Sequence, residues 1–435
     1  MKIRIAEVNV SNNKLTFKLD YSKDLKWYFL KNTSFVEYDI DISNVDESIL
    51  VLPIISLIAP IAWAVGADIE VDKIDETYLH SLSTIRDTFK NFYPQFSFSG
   101  SVYAKSTVSN RFDGNQIGLL FTSGVDSLNS YLRHKDEKPN LISVWGCDIP
   151  HYEERFWNTV RVRFDNLANR DKLTFRQVKT DMRHNYNEQL LSRQFKLEWI
   201  GEVAHGLWLL SLCAPLSAVR KMGILIIAAS YTEEFREPWG SHPLIDENVR
   251  WADVKVVHDG YELSRQGKLH WLSGNHPEYL PGLRVCNSTL LNYNCGRCEK
   301  CARTIAGLTV EGLDPRSCGF DIGKKHFGMI KSCLLKGRFN WGKDQEFMWM
   351  DIQQHIPEQI DKDINGSKEF LGWLKNFDFS AYRPSRVQFL LWFVYRRFWN
   401  NKTISVPLIK RYIKVYLYIA LARLFPLKKN RHSQK

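Results

Sequence analysis

Four of the eight cysteines fall within sixteen residues, as Cys286-x8-Cys295-Gly-Arg-Cys298-Glu-Lys-Cys301. Two residues separate Cys295 from Cys298, and two separate Cys298 from Cys301. A tight turn of that spacing lets sulfurs converge on one ion, and Gly296 permits the positive φ such a turn often needs. A disulfide framework is not expected in a chain of 435 residues that opens without a secretion signal. The spacing therefore predicts metal ligation by Cys286, Cys295, Cys298 and Cys301. Zinc is the expected ion, closed on all four sides and structural; free thiols and an iron–sulfur cluster are the alternatives. Lys300 and Arg303 flank the cluster, where they could steady its thiolate charge.

A chain of this length allows two or three domains. It is 44% hydrophobic and 25% charged, which argues against wholesale disorder and against a many-pass membrane protein. Met1–Asp20 mixes charged and apolar residues from the start, so a cytoplasmic address is expected. Residues 1–112 read as an N-terminal α+β module. It has a hairpin of Lys2–Val10 and Lys14–Leu19, an amphipathic helix over Asp75–Tyr93, and a linker over Ser106–Gln116. The uncharged run Ile49–Ala67 is as long as a membrane span. Pro53, Pro60 and the lack of a flanking basic cluster favour a buried, Pro-interrupted helix.

From residue 113 to 316 short apolar runs alternate with helices. Strands are expected at Ile117–Phe121, Leu141–Gly146, Leu173–Val178, Ile224–Ala229, Val254–His258 and Leu283–Cys286. Helices are expected from Ser127 to Arg133, over Glu153–Asn169 and over Leu197–Arg220, the last broken near Pro215. The predicted class is α/β, a parallel sheet with helices on both faces. Residues 317–435 read as a mostly helical extension, with candidate helices at Glu369–Phe377 and Val387–Trp399.

The first strand of that core ends in Phe121-Thr122-Ser123-Gly124-Val125-Asp126-Ser127. A buried strand giving way at once to small and hydroxyl residues and then a helix is a phosphate-cradling arrangement. Small residues admit the ligand, and the free N–H groups and dipole of the helix N-terminus favour an anion. Thr122, Ser123 and Ser127 offer hydroxyls. Asp126 fits as a magnesium ligand or as a cap of the loop, and a plain N-capped helix is the bland alternative.

This loop resembles the S-G-G-x-D-S signature of the PP-loop ATP pyrophosphatases. Gly124, Asp126 and Ser127 match it, Thr122 stands for the first Ser, and Ser123 replaces the first Gly. Loop first and four-cysteine knuckle later, in that order, resemble the 7-cyano-7-deazaguanine synthases, the QueC-like family, over roughly Ile117–Val310. The resemblance implies an adenine nucleotide alpha hydrolase-like, HUP or Rossmann-like core with a zinc knuckle, and ATP, magnesium and zinc as cofactors. It implies a nucleotide held by Phe121, Thr122, Ser123, Gly124, Val125, Asp126 and Ser127 together with Trp145 and Gly146, and catalytic roles for Asp126 and Ser127; His242 is a catalytic candidate from its place in the loop after Ile224–Ala229, where this sequence departs from the family. The implied reaction adenylates a carboxylate, 7-carboxy-7-deazaguanine or a relative, and yields an amide, nitrile or amine conjugate with release of AMP and pyrophosphate. Such C–N ligation belongs to queuosine biosynthesis, and some enlarged members accompany antiphage defence genes. A tRNA-directed modification enzyme and a catalytically inactive zinc-stabilised scaffold are the alternatives. The partners implied are a small-molecule carboxylate, a protein or tRNA acceptor, and a second copy of the chain in a homodimer.

Other residues carry two readings each. His242 contacts substrate or orders its loop, and Trp239 stacks on a flat base or anchors that loop. His205 reads as a packed histidine. Asp181 and Arg183 line the cleft or a solvated loop, and His258-Asp259-Gly260 reads as a turn. The formal charge of +11 comes from the tail: Ala381–Lys435 holds 13 Lys+Arg and no acid, leaving 46 bases against 48 acids elsewhere. Its interleaved aromatics suit a packed helical subdomain, RNA, or an anionic membrane or protein surface.

Overall fold

The computed structural model describes residues 1–286 and 293–382. The basic tail beyond Tyr382, with the expected helix Val387–Trp399, lies outside the described residues. Ten strands form one mostly parallel sheet, accompanied by fourteen α-helices among the described residues. The strands are β1 (Lys2–Ser11), β2 (Lys14–Tyr21), β3 (Thr33–Tyr38), β4 (Asp68–Asp75), β5 (Val102–Val108), β6 (Gln116–Leu120), β7 (Asn140–Trp145), β8 (Phe175–Thr180), β9 (Met222–Ala228) and β10 (Lys255–Asp259). Their order is β10-β9-β6-β7-β8-β3-β2-β1-β4-β5.

Strands β6 to β10 pair in parallel. Their apolar runs, such as Met-Gly-Ile-Leu-Ile-Ile-Ala in β9, suit strands covered on both faces. The chain moves from β6 to β7 and β8 on one side, then returns to lay β9 and β10 on the other. The order therefore reverses between β6 and β9, and in open α/β sheets the crevice for a ligand lies beyond the carboxyl ends of the strands at such a point. The N-terminal strands continue the same sheet. β3 joins β8 antiparallel, with Val36 opposite Thr180 and Tyr38 opposite Val178.

β3, β4 and β5 have no counterpart in the sequence reading, and β5 overlaps the expected linker. It is an edge strand whose Lys105, Ser106 and Thr107 face solvent, so it lacks the apolar alternation that marks a strand. Leu283–Cys286 is extended but is not a strand. Its backbone is bound elsewhere: Arg284 N–H donates to Ser123 O (2.8 Å), Val285 N–H to Asn294 Oδ1 (3.0 Å), and Asn294 Nδ2 to Leu283 O (2.8 Å).

Ile49–Ala67 folds as helices Glu47–Leu50 and Leu52–Val65. Pro53 sits in a first turn, where no hydrogen bond is lost, and the second helix ends on Gly66 at φ +70°. Its 14 residues reach about 21 Å, short of a ~30 Å hydrocarbon core. It is buried on every side, which accounts for its all-round apolarity. The longer run Trp199–Arg220 is the one helical stretch, among the described residues, long and apolar enough to cross a membrane, and 72% of its apolar window is buried. It is interrupted as expected: a π-helix Trp199–Ala204, then His205–Ser211, then Ala214–Arg220 with Pro215 in its first turn.

Two large apolar cores result, beside a small cluster of Tyr231, Phe235 and Met348, and one of the two combines the N-terminal helices with Trp199–Leu216. The other joins Phe121, Leu128 and Phe164 to Cys301, Trp349, Phe370 and Leu374, so helices His326–Leu335, Lys343–Gln354 and Ser367–Leu374 complete the core around the cysteine knuckle. Trp349 Nε1 donates to Glu299 in the first turn of the knuckle helix (2.9 Å).

Candidate functional site

The turn after β6 lies at the point of strand reversal. Phe121 N–H still donates to Ile142 O (2.7 Å), after which the chain leaves the sheet. Ser123 takes φ +59°, a left-handed conformation that costs a residue with a Cβ about 1 kcal/mol. The Ser123 hydroxyl offsets this by donating to Gly282 O (2.7 Å), while its carbonyl accepts from Arg284 N–H. A serine thus stands where the resembling signature has glycine. Gly124 is the N-cap of helix Val125–Arg133, and no side chain caps that helix. Its first-turn amides and the exposed Thr122 form the open part of the turn. Ser123 and Ser127 are turned inward. Ser127 Oγ accepts from Thr122 N–H (3.2 Å) and donates to Gly124 O (3.4 Å), which braces the turn.

Asp126 neither caps the helix nor stands free. Its Oδ2 lies 2.6 Å from Arg265 Nη1, and its Oδ1 lies 3.8 Å from Lys268 Nζ. Burial disfavours its charge, but Arg265 and Lys268 outweigh burial and hold the carboxyl below its ordinary value. Lys268 is 1% exposed and donates to Ala229 O at the end of β9 (2.6 Å), so the pair ties helix Arg265–Asn275 to the crevice floor.

The turn after β7 supplies the next wall. Trp145 does not offer a face to a nucleotide base. It stacks on Trp157 (5.3 Å, 3°), with Lys179 over its ring and its Nε1 bonded to Pro150 O. Gly146 has φ +125°, and a Cβ there would fall 1.9 Å from Thr180 O, so only glycine lets β7 end against β8. Asp148 follows in the same turn and is exposed. Desolvation by the protein around it raises its pKa, but Lys300, Arg183 and Arg284 together hold it below the ordinary range. Arg183 Nη1 fastens this turn by donating to Cys147 O (3.0 Å). Arg284 is 6% exposed, and its Nε and Nη2 have no hydrogen-bond partner among the described residues. Its guanidinium stands 5.4 Å from the Phe156 ring.

The four cysteines converge as the spacing predicts. All four sulfurs lie within 4.8 Å of one another, with Cys286–Cys298 and Cys295–Cys301 each at 3.9 Å. A tetrahedron with Zn–S bonds of about 2.3 Å has edges of about 3.8 Å, so the cluster could hold a metal ion such as zinc. N–H groups of Arg297 and Cys298 donate to Cys295 Sγ, and Cys295 N–H donates to Cys286 Sγ. Gly296 adopts φ +67°, and its carbonyl lies 2.6 Å from His326 Nε2. Cys298 is the N-cap of helix Glu299–Val310, and Cys301 lies in its first turn, where the helix dipole favours thiolate.

The loop after β9 is aromatic and acidic. Tyr231 packs on Phe235 and Trp239, and its hydroxyl donates to Asp344 (3.1 Å). Gly240 clips the loop to the π-helix through Gly201 O (2.9 Å) and to helix His205–Ser211 through Gly206 N–H (2.8 Å). The lack of a side chain on Gly201 lets the Glu198 carboxylate and the Trp239 ring meet there. Burial, with Glu188 and Glu202 nearby, holds Glu198 above the usual carboxylate range. Glu198 and Glu202 have no place among the sequence candidates. The available signal is two acids interrupting an otherwise apolar helix.

His242 caps helix Pro243–Asp246, accepting from Leu244 N–H on Nδ1 (3.1 Å), and its ring meets Phe92 and Tyr261. These contacts describe loop ordering. His205 is half-buried, with Nδ1 unbonded among the described residues. Asp181 does not line the crevice. It accepts from Phe35 N–H (3.0 Å) and Ser34 Oγ, fastening β3 to β8. His258 and Asp259 are the last residues of β10, so the expected turn starts only at Gly260; His258 pairs deep inside with Asp246 (2.7 Å), which also accepts from Ser241 Oγ (2.7 Å).

Beside Asp181, His151 and His184 pack ring to ring (5.1 Å). Burial, then the charges of His151 and Arg183, push His184 down to about 4, and burial likewise lowers His151. The unfolded chain takes up these protons near pH 6.5, while the folded chain resists until lower pH. Stability is therefore expected to fall as pH drops from about 6.5 towards 4, by up to roughly 3 kcal/mol for His184. Urea midpoints of wild type and His184→Phe across that window check this; equal slopes would refute it.

Comparisons with protein-family models, with curated proteins and with solved structures find no match to this chain.

Proposed function

We propose that this chain is an ATP-dependent C–N ligase of the PP-loop, QueC-like kind, built on an adenine nucleotide alpha hydrolase-like core. The observation that carries the reading is the uncapped N-terminus of helix Val125–Arg133 at the point of strand reversal, with Arg284 bonded to the turn through its backbone and its buried Nε and Nη2 unpartnered among the described residues. An anion placed there receives first-turn amides, the Thr122 hydroxyl and a buried cation together. A carboxylate oxygen of the substrate attacks the α-phosphorus of ATP, and pyrophosphate leaves. A nitrogen nucleophile then attacks the acyl carbon, AMP leaves, and one proton is lost. This chain's share is positioning and charge neutralisation. Glu198, whose carboxyl is held above the usual range, is suited to take the proton from the nitrogen. Magnesium accompanying the nucleotide finds a carboxylate without an ion-pair partner in Asp148, since Asp126 is paired to Arg265. A flat heteroaromatic carboxylate of the 7-carboxy-7-deazaguanine kind suits the aromatic wall of Tyr231 and Trp239.

Incubation with ATP, magnesium, 7-carboxy-7-deazaguanine and ammonium is expected to release AMP and pyrophosphate in equal amounts, with an amide seen by mass spectrometry, or a nitrile where a second ATP adenylates the amide oxygen and carries it off as AMP with loss of two protons. Absence of both ATP binding and pyrophosphate release across a panel of aromatic carboxylates would sink the reading.

A further inference from the structure

The cysteine knuckle and the phosphate turn are stitched together by short polar contacts. Gly282 O accepts from the Ser123 hydroxyl and from Tyr293 OH (3.2 Å), and Arg284 N–H reaches Ser123 O. Asn294, next to Cys295, grips Leu283 and Val285 on either side of Arg284. Arg284 thus lies two residues before Cys286, in a segment clamped between the turn and the sulfurs. Lys300 lies between Cys298 and Cys301 in the first turn of the knuckle helix. It is exposed and makes no ion pair among the described residues, yet its charge acts on both Asp126 and Asp148. Two cations without ion-pair partners among the described residues therefore flank the sulfur cluster, the buried one bonded through its backbone to the phosphate turn and the other exposed on the knuckle helix.

We infer that Arg284 and Lys300 form a clamp for the ligand's terminal phosphates, and that the metal held by the four cysteines sets the position of both. The inference rests on the nucleotide reading above and adds to it the residues that grip the polyphosphate. A metal-bound knuckle holds the Cys286 end and the Cys298–Cys301 turn in one geometry. That geometry fixes where the Arg284 fork and the Lys300 stem emerge. Loss of the metal frees both cations to move without disturbing the sheet.

Calorimetric titration of the full chain with inorganic pyrophosphate and with ATP, at two salt concentrations, tests this. Arg284→Gln and Lys300→Gln are each expected to weaken binding by roughly ten- to hundred-fold and to flatten its salt dependence, with Lys300→Arg restoring most of it. Removal of metal by chelation is expected to raise Kd at least as far, with recovery on adding zinc, while far-UV circular dichroism stays near native. If wild type binds neither probe, the nucleotide reading itself fails. If wild type binds and Lys300→Gln and Arg284→Gln bind equally well, the clamp is wrong and the reading stands. If the variants weaken but chelated protein binds normally, the metal does not set the clamp. Should Arg284→Gln not fold, Lys300→Gln and Lys300→Arg decide.

Discussion

Cys301→Ser is expected to abolish stoichiometric metal binding and to destabilise the protein by on the order of 5 kcal/mol. Structural zinc contributes roughly 10–16 kcal/mol to folding in small metal-dependent domains, and a smaller loss is expected here because the ten-stranded sheet and its cores stand without it. Cys301 is fully buried, so the serine hydroxyl replaces a metal bond with an unsatisfied polar group. The loss is expected to spread along the knuckle helix, where Arg303 pairs with Glu299 (3.2 Å) and Glu299 holds Trp349. Metal content by mass spectrometry and melting with and without chelator measure both effects. Cys333→Ser is the control, since Cys333 stands outside the cluster and keeps the metal. A Cys301→Ser protein with full metal content, or a wild type with none and an unchanged melt, would contradict the assignment.

Asp126→Asn is expected to cost about 3–5 kcal/mol of stability, independently of any catalytic effect. The substitution leaves the largely buried Arg265 and Lys268 without their counter-charge, with side-chain exposures of 12% and 1%. Because the folded carboxyl sits below its unfolded value, its contribution is present above about pH 4 and is lost as pH falls through the folded pKa. Removing both charges together, as Asp126→Asn with Arg265→Met, should recover part of the loss, giving a coupling of about 1–3 kcal/mol in a double-mutant cycle. Urea unfolding of the four proteins measures it. If Asp126→Asn is instead neutral in stability while ATP binding disappears, Asp126 is a ligand-binding group and its pairing with Arg265 carries little weight.

How legible the site is depends on how far apart in the chain its parts lie. The turn Thr122–Ser127 can be read because strand, small residues and helix follow one another directly, and the sulfur cluster because its ligands sit three and nine residues apart. The fate of Asp126 cannot be read, since Arg265 is 139 positions away and no local pattern links them. The same holds for Asp181, a cleft candidate by sequence that bonds the start of β3 instead. Trp145 is drawn toward the nucleotide site by its place at a strand end. Its stacking on Trp157 is a matter of how helix Glu154–Asp171 lies on the sheet. Arg284 is invisible for a different reason: the segment around it looks like a strand. Only in three dimensions do Ser123 and Asn294 take up its backbone bonds.

Taken alone, the order of residues determined the α/β alternation, the break near Pro215, the glycine-bearing cysteine turn and the small-residue turn after β6, but not that helix Leu52–Val65 runs unbroken through Pro60. Each depends on contacts within a few residues, and hydrophobic period and side-chain size report those directly. The tertiary structure decided that β9 returns to lie beside β6, that β3 welds the N-terminal strands onto β8, and which cations stand paired or unpaired around the crevice. Those outcomes come from packing and charge pairing between segments far apart in the chain, whose energies exist only once the chain has closed on itself.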